Sequence, residues 1–247
     1  MASQFQHRSI SQMLSGNNRW ADSVQSTNPN FFPQSARGQS PHTLWIGCGD
    51  SRVPETVITG TRPGDIFVNR NVGNQVQFGD ENLMATLEFA VFLYYLQTMI
   101  LIESLVIVCG HTGCGAVIAS FKASRTIVPG RTPITLDPFP ADSPLNRFLA
   151  PLTTSIANLI TSLQISAVGE EEAVPILVRE NIKMQVDNLC ETEVIKNAWR
   201  NRPQGQELTV HGWLYDIASG RIQDLEVSRG PRLGPTPYKD VDEKDVE

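Results

Sequence analysis

Apolar positions follow two rhythms along this chain, one near 3.6 residues and one of short unbroken runs. Ile10, Met13, Leu14 and Trp20 recur at helical spacing, predicting an amphipathic helix over Ser9–Val24. A polar stretch rich in Asn, Pro and Gln then leads to Pro41. Thr43–Gly47 and Ile66–Asn69 are short apolar runs with the look of buried strands, and Ser104–Cys109 is β-branched and apolar on both faces, as a central parallel strand should be. Asp80 is placed to cap a helix running to about Gln97, and Gly110–Gly115 turns into another that continues through Phe121. Residues 124–143, rich in Pro, Thr and Arg, read as a loop. Helices are predicted over Leu145–Leu163 and Glu171–Trp199, the second with Val174, Leu177, Val178, Ile182, Val186 and Leu189 on one face. Leu208–Ile217, a turn at Ser219-Gly220 and Ile222–Val227 predict a hairpin.

This alternation predicts an α/β fold: a mostly parallel central sheet flanked by helices, with a C-terminal hairpin or edge strand and an N-terminal helical arm at about 9–24. We read residues 1–230 as a single catalytic domain and 231–247 as a flexible charged tail. Ligands of such sheets bind beyond the carboxyl ends of the strands, which directs the search for chemistry there.

Composition narrows the function classes. A net charge of −6 leaves no basic footprint for nucleic acid. The most apolar stretch, Phe89–Ile102, is too short and too interrupted to span a bilayer, so no membrane partner is expected. Four cysteines are too few for a disulfide scaffold in 247 residues and point to a reducing compartment. Arg8, Arg19 and several serines give the first twenty residues a thin likeness to a transit peptide, but their apolar spacing reads better as a helix of the mature protein. The cytoplasm is therefore expected ahead of a mitochondrion.

Two segments at predicted strand ends carry the candidate chemistry: Cys48-Gly49-Asp50-Ser51-Arg52 and His111-Thr112-Gly113-Cys114. Two thiolates and one imidazole suit zinc, and His111 and Cys114, three residues apart, can reach one ion from the same turn. Three protein ligands leave a fourth position for water, the pattern of a catalytic zinc. Asp50 and Arg52 share a face of an extended segment. The carboxylate can orient a zinc-bound water or bind the metal itself, with the arginine deciding between the two, or the pair can be a plain surface ion pair. Cys109 and Cys190 read as small core residues, His7 and His42 as solvated, and His211 as a satisfied sheet histidine. The glycines do not space as a dinucleotide fingerprint.

C-x-D-x-R followed about sixty residues later by H-x-x-C resembles the β-class carbonic anhydrases. The likeness extends to Pro63-Gly64-Asp65-Ile66-Phe67-Val68-Asn69-Arg70-Asn71-Val72-Gly73-Asn74 and to Val210-His211-Gly212-Trp213-Leu214-Tyr215-Asp216. It implies Zn2+ on Cys48, His111 and Cys114, a catalytic pair of Asp50 and Arg52, and a pocket for carbon dioxide and bicarbonate involving Gln39, Phe67, Phe89 and Gly115. It also implies an obligate homodimer or homotetramer, with Gln39 and Phe67 acting across the interface and N-terminal helices embracing the partner. Thr98–Ser104 is a few residues longer than the family pattern, and loop 124–143 is also longer.

The resemblance implies reversible hydration of carbon dioxide to bicarbonate and a proton, by attack of zinc-bound hydroxide. Zinc lowers the pKa of bound water from about 15.7 toward about 7, and two thiolate ligands should leave it higher than three histidines would. A hydrolase of carbon disulfide or carbonyl sulfide and a zinc-binding scaffold are the competing readings. Trp45, Val53 and Tyr215 resemble a subgroup with a second bicarbonate site in which the counterpart of Arg70 touches the anion. There, bicarbonate favours a state in which the aspartate leaves its arginine for the zinc. The competing reading of Trp45 is a core aromatic.

Overall fold

The computed structural model describes residues 10–97, 103–128, 130–201 and 207–231. The segment Thr98–Ser104 therefore lies largely outside the described residues, as do His7 and all of the tail beyond Pro231. The chain divides into two compact units, Met1–Ser40 and Pro41–Glu247.

In the first unit, α1 (Ile10–Thr27) buries none of its residues, and Ile10, Met13 and Leu14 stand well exposed along one stripe. Where an irregular polar stretch is expected, the chain forms α2 (Phe31–Ser35). The reason is aromatic: Phe32 meets Trp20 edge-to-face at 5.6 Å and Phe31 at 5.2 Å, which holds the short turn against α1.

The second unit is built on a five-stranded sheet in the order β2-β1-β3-β4-β5. Its strands are β1 (Thr43–Cys48), β2 (Ile66–Asn71), β3 (Glu103–His111), β4 (Glu207–Asp216) and β5 (Arg221–Asp224). The first four pair in parallel, and β5 closes an antiparallel hairpin on β4, as expected. Every residue of β1 is buried because both of its faces are covered. Leu44, Ile46 and Cys48 enter a large core, while Trp45 joins Val53, Ile107, Cys109 and Tyr215 in a second cluster.

Around the sheet lie α3 (Glu55–Ile58), α4 (Glu81–Gln97), α5 (Gly115–Ser124), α6 (Pro144–Ser162), α7 (Glu170–Cys190) and α8 (Glu193–Asn201). Asp80 caps α4, its carboxylate accepting from the N–H groups of Asn82 and Leu83. Ser143 caps α6 in the same way, accepting from Asn146 N–H at 3.2 Å. Leu177, Ile182 and Leu189 of α7 are fully buried, and each contributes on the order of 1.5–3 kcal/mol of burial.

The single helix expected over Glu171–Trp199 is two. The apolar rhythm runs on from Leu189 to Ile195, but Thr192 breaks the backbone between them. Its hydroxyl donates to Leu189 C=O at 2.7 Å and accepts from Ile195 N–H at 3.3 Å, ending α7 and capping α8.

Candidate active site

Because β1 and β3 are parallel neighbours, with Gly47 opposite Cys109, their carboxyl ends open at one edge of the sheet. Cys48 closes β1 and His111 closes β3. Thr112 and Gly113 then turn the chain, Gly113 at φ +64°, a left-handed conformation that strains any side chain. The turn returns Cys114 to the start of α5. The sulfurs of Cys48 and Cys114 and a ring nitrogen of His111 all come within 4.8 Å of one another. The three residues are 6%, 1% and 0% exposed.

The donor set passes a chemical test for zinc. His111 Nδ1 lies 3.0 Å from Thr112 C=O, which fixes that nitrogen as the donor and leaves Nε2 as the ligand atom. Nε2 is buried without a hydrogen-bond partner among the described residues. Cys48 is favoured as the thiolate, first by its hydrogen bond from Cys114, then by His111 and the N–H groups of Gly73 and Asp50, with burial opposing. Cys114 is pushed up by the same Cys48 contact and by burial. A divalent ion taken up by both sulfurs would displace any thiol proton they carry. For His111, burial disfavours the charged ring, but the neighbouring Cys48 outweighs it and raises the pKa.

The turn carrying His111 is anchored from the far hairpin. Thr112 Oγ1 donates to Asp216 at 3.0 Å and accepts from Ile217 N–H at 3.0 Å, while Thr112 N–H donates to Tyr215 C=O. Asp216 also accepts from Ser219 Oγ at 2.6 Å. These contacts hold its carboxyl below the ordinary range, Ser219 most of all. The sequence reading missed this anchor. Its one local signal is an Asp three residues before Ser219 at a hairpin turn.

Asp50 is gripped on both oxygens by Arg52, from Nε at 2.9 Å and NH2 at 2.7 Å, and by Arg52 N–H at 2.9 Å. This grip, chiefly the side-chain hydrogen bond, holds the Asp50 carboxyl well below the usual range against the opposing effect of burial. The same carboxylate lies 3.8 Å from His111 Nε2, so the pair stands beside the cluster. Arg70 is missed as a clamp: its Nε donates to Cys48 C=O at 2.8 Å and its NH2 to Asp50 C=O, with Glu55 3.7 Å from NH1.

Gly115, Cys48 and Asp50 border a cavity of about 410 Å³ whose remaining wall is hydrocarbon: Val72, Ala116, Ala119, Leu136, Leu145 and Leu149. Phe67 and Phe89 do not line it. Their rings meet each other at 5.6 Å on β2 and α4, and Phe89 is 47% exposed. Gln39 belongs to the first unit. Trp45 is fully buried in the second cluster with Tyr215, and its indole lies over Gly47, where a Cβ would meet Nε1 at 2.4 Å. Trp45 Nε1 has no hydrogen-bond partner among the described residues. His211 is satisfied on both nitrogens, by Ser228 and Thr209, and Cys109 is fully buried, as expected of core residues.

The carbonic anhydrase family model matches residues 43–222, well over half of the chain. A carbonic anhydrase of Saccharomyces cerevisiae is 32% identical over 217 residues, covering 87% of this chain and 88% of the relative. Among solved structures, a tetrameric β-carbonic anhydrase of Sordaria macrospora is similar at 33% identity and a TM-score of 0.70, over 88% of this chain and 96% of the other. A β-carbonic anhydrase of Aspergillus fumigatus is similar at 32% identity and the same TM-score, over 88% and 90%.

Proposed function

This chain belongs to the β-class carbonic anhydrases, zinc enzymes that hydrate carbon dioxide reversibly to bicarbonate and a proton, and from that premise we propose how its own residues divide the work. Cys48, His111 and Cys114 hold the zinc. The observation that carries this is their burial together within 4.8 Å, with His111 Nε2 lacking a hydrogen-bond partner among the described residues. Zinc bound there would supply hydroxide by lowering the pKa of its water. Asp50, kept ionised and aimed by Arg52, would orient the attacking hydroxide by accepting its hydrogen bond. Arg70 fixes the Cys48–Asp50 segment by its carbonyls, so that the carboxylate and the sulfur keep one geometry. Gly115 and the hydrocarbon wall hold carbon dioxide out of bulk water.

The working form is a homodimer or a larger homo-oligomer built on it. Support comes from the exposed stripe of α1, from β2 at the sheet edge and from Phe89 standing half-exposed on α4. With Gln39, Phe67 and Phe89 acting on a partner's cavity, the monomer is incomplete. The Sordaria macrospora relative is tetrameric. Four free thiols suit a reducing, cytoplasmic setting.

A second bicarbonate site at Trp45, Arg70 and Tyr215 is favoured by the Trp45 N–H, which has no hydrogen-bond partner among the described residues and lies one strand away from Arg70 in register with Gly47. An anion there competes for Arg70 with the carbonyl of Asp50, and so loosens the segment that Arg52 orders.

Stopped-flow hydration of carbon dioxide tests the reading. Zinc-loaded protein is expected to accelerate hydration and chelated protein to lose that acceleration. A zinc-loaded protein with no effect on the rate overturns it.

A further inference from the structure

Helix α7 does more than close the core, because a polar stripe along it grips the loop that follows β2. Its apolar side lies against the sheet at two glycines, where an added Cβ would meet Ile182 at 2.7 Å on Gly110 and at 3.1 Å on Gly212. That close approach fixes α7 over β3 and β4, beside the strand that ends in His111. Asn181, Gln185 and Asn188 follow at i, i+4 and i+7 and so form one stripe. Asn181 and Gln185 are 1% and 3% exposed. Asn181 Nδ2 donates to Gly73 C=O at 3.2 Å, and its Oδ1 accepts from Gln185 Nε2 at 2.9 Å. Gln185 Oε1 accepts from Val76 N–H at 2.7 Å, and Asn188 Nδ2 donates to Val76 C=O at 3.3 Å.

The gripped loop adjoins the metal-ligand cluster. Cys48 pairs in register with Asn71, and Gly49 N–H donates to Asn71 C=O at 2.8 Å. Two residues on, the chain turns through consecutive left-handed conformations, Gly73 at φ +85° and Asn74 at φ +46°, which persist only where surrounding contacts impose them. A Cβ on Gly73 would crowd Ala116 at 3.0 Å, so the loop backbone sits close against α5. The same turn points Gly73 N–H at Cys48 Sγ. Hydrocarbon side chains on α7 could fill the space but could not select one loop geometry, whereas a satisfied amide network does. We propose that Asn181 and Gln185 are positioning residues for the metal centre: through Gly73 C=O and Val76 N–H they keep Gly73 N–H on Cys48 Sγ, and so set how strongly that sulfur donates to zinc. The inference rests on the reading of Cys48 as a zinc ligand and extends the support of the centre to α7.

The test uses the full chain loaded with Co2+, whose thiolate-to-metal absorption band reports donation from sulfur. Zinc Kd, from competition with a chromophoric chelator, and the urea midpoint are measured on the same variants. Asn181→Leu removes both polar ends at similar volume, and Gln185→Met removes the next rung. Both are expected to move the band to longer wavelength, because a sulfur without its N–H donor holds its lone pairs less tightly. Zinc Kd is expected to rise about tenfold in each. Val186→Ala, on the sheet-facing side of the same helix, is expected to lower the urea midpoint while leaving band and Kd unchanged. Gln185→Met, the milder change, decides alone should Asn181→Leu not fold. An unmoved band and Kd in the folded amide variants overturn the inference, as does an equal shift in Val186→Ala. In that case a thiolate band in the wild type leaves the ligand reading standing and removes only α7 from it. A wild type that binds Co2+ without a thiolate band overturns the ligand reading, and the inference with it.

Discussion

The Cys48–His111–Cys114 centre and the Phe67–Phe89 pair are built to different degrees of completion by the same chain. At the centre, β1, β3 and the start of α5 deliver three residues that could hold a metal ion, each at most 6% exposed, and the hairpin turn and Arg70 brace them. At the aromatic pair, an edge strand and α4 present rings to each other and to solvent, with Phe89 47% and Phe92 56% exposed. Metal chemistry needs a few atoms fixed to within a fraction of an ångström, which one fold can supply. A pocket that excludes water needs area, and the proposed oligomer supplies it. The two regions should therefore fail differently.

His111→Ala strikes the completed region and carries the largest effect. Zinc content measured by atomic absorption should drop from about one per chain to near zero, and hydration should vanish with it. Full zinc in that variant would contradict the ligand assignment. Asp50→Asn should keep the zinc and slow hydration by about a hundredfold, the loss of the acceptor that orients the attacking oxygen. An unchanged rate would reduce the Asp50–Arg52 pair to a surface ion pair. Phe89→Asp strikes the other region. It should leave zinc intact and weaken self-association by at least about 30-fold, since each subunit brings a charge to an apolar contact. Sedimentation showing a fully active monomer would remove the partner from the pocket.

The smallest effect is on stability against pH. Arg52 holds the Asp50 carboxyl below its unfolded value of about 3.9. A depressed folded pKa stabilises fully above the unfolded value, and that contribution is lost as pH falls through the folded one. Arg52→Met should lower the urea midpoint slightly near neutral pH, and the gap from wild type should narrow below about pH 4. A gap that stays constant through that range would mean the pairing is not what Arg52 contributes.

What was legible in the sequence follows a physical divide. Strands buried on both faces, such as Thr43–Cys48 and Ser104–Cys109, announce themselves by composition, and the ligand residues by chemistry at strand ends. The hairpin was legible from its turn at Ser219-Gly220. The break at Thr192 was not, because an apolar stripe continuing from Leu189 to Ile195 hides a hydroxyl that caps one helix and ends another. Arg70 as a clamp on Cys48 and Asp50 was not legible either. Its partners are carbonyls twenty or more residues away, and backbone acceptors leave no mark in a sequence. Asn146 escaped for the same reason, since a lone Asn beside a cap looks like a turn residue until the loop folds over it.

On the proposed reading one zinc, held by Cys48, His111 and Cys114, does the catalysis in each chain. Metal-free protein titrated with zinc, with bound metal and carbon dioxide hydration measured on the same samples, tests it directly. Hydration should rise in proportion to bound zinc and level off at about one ion per chain. Full hydration in the metal-free protein, or saturation with zinc and no hydration, would contradict it.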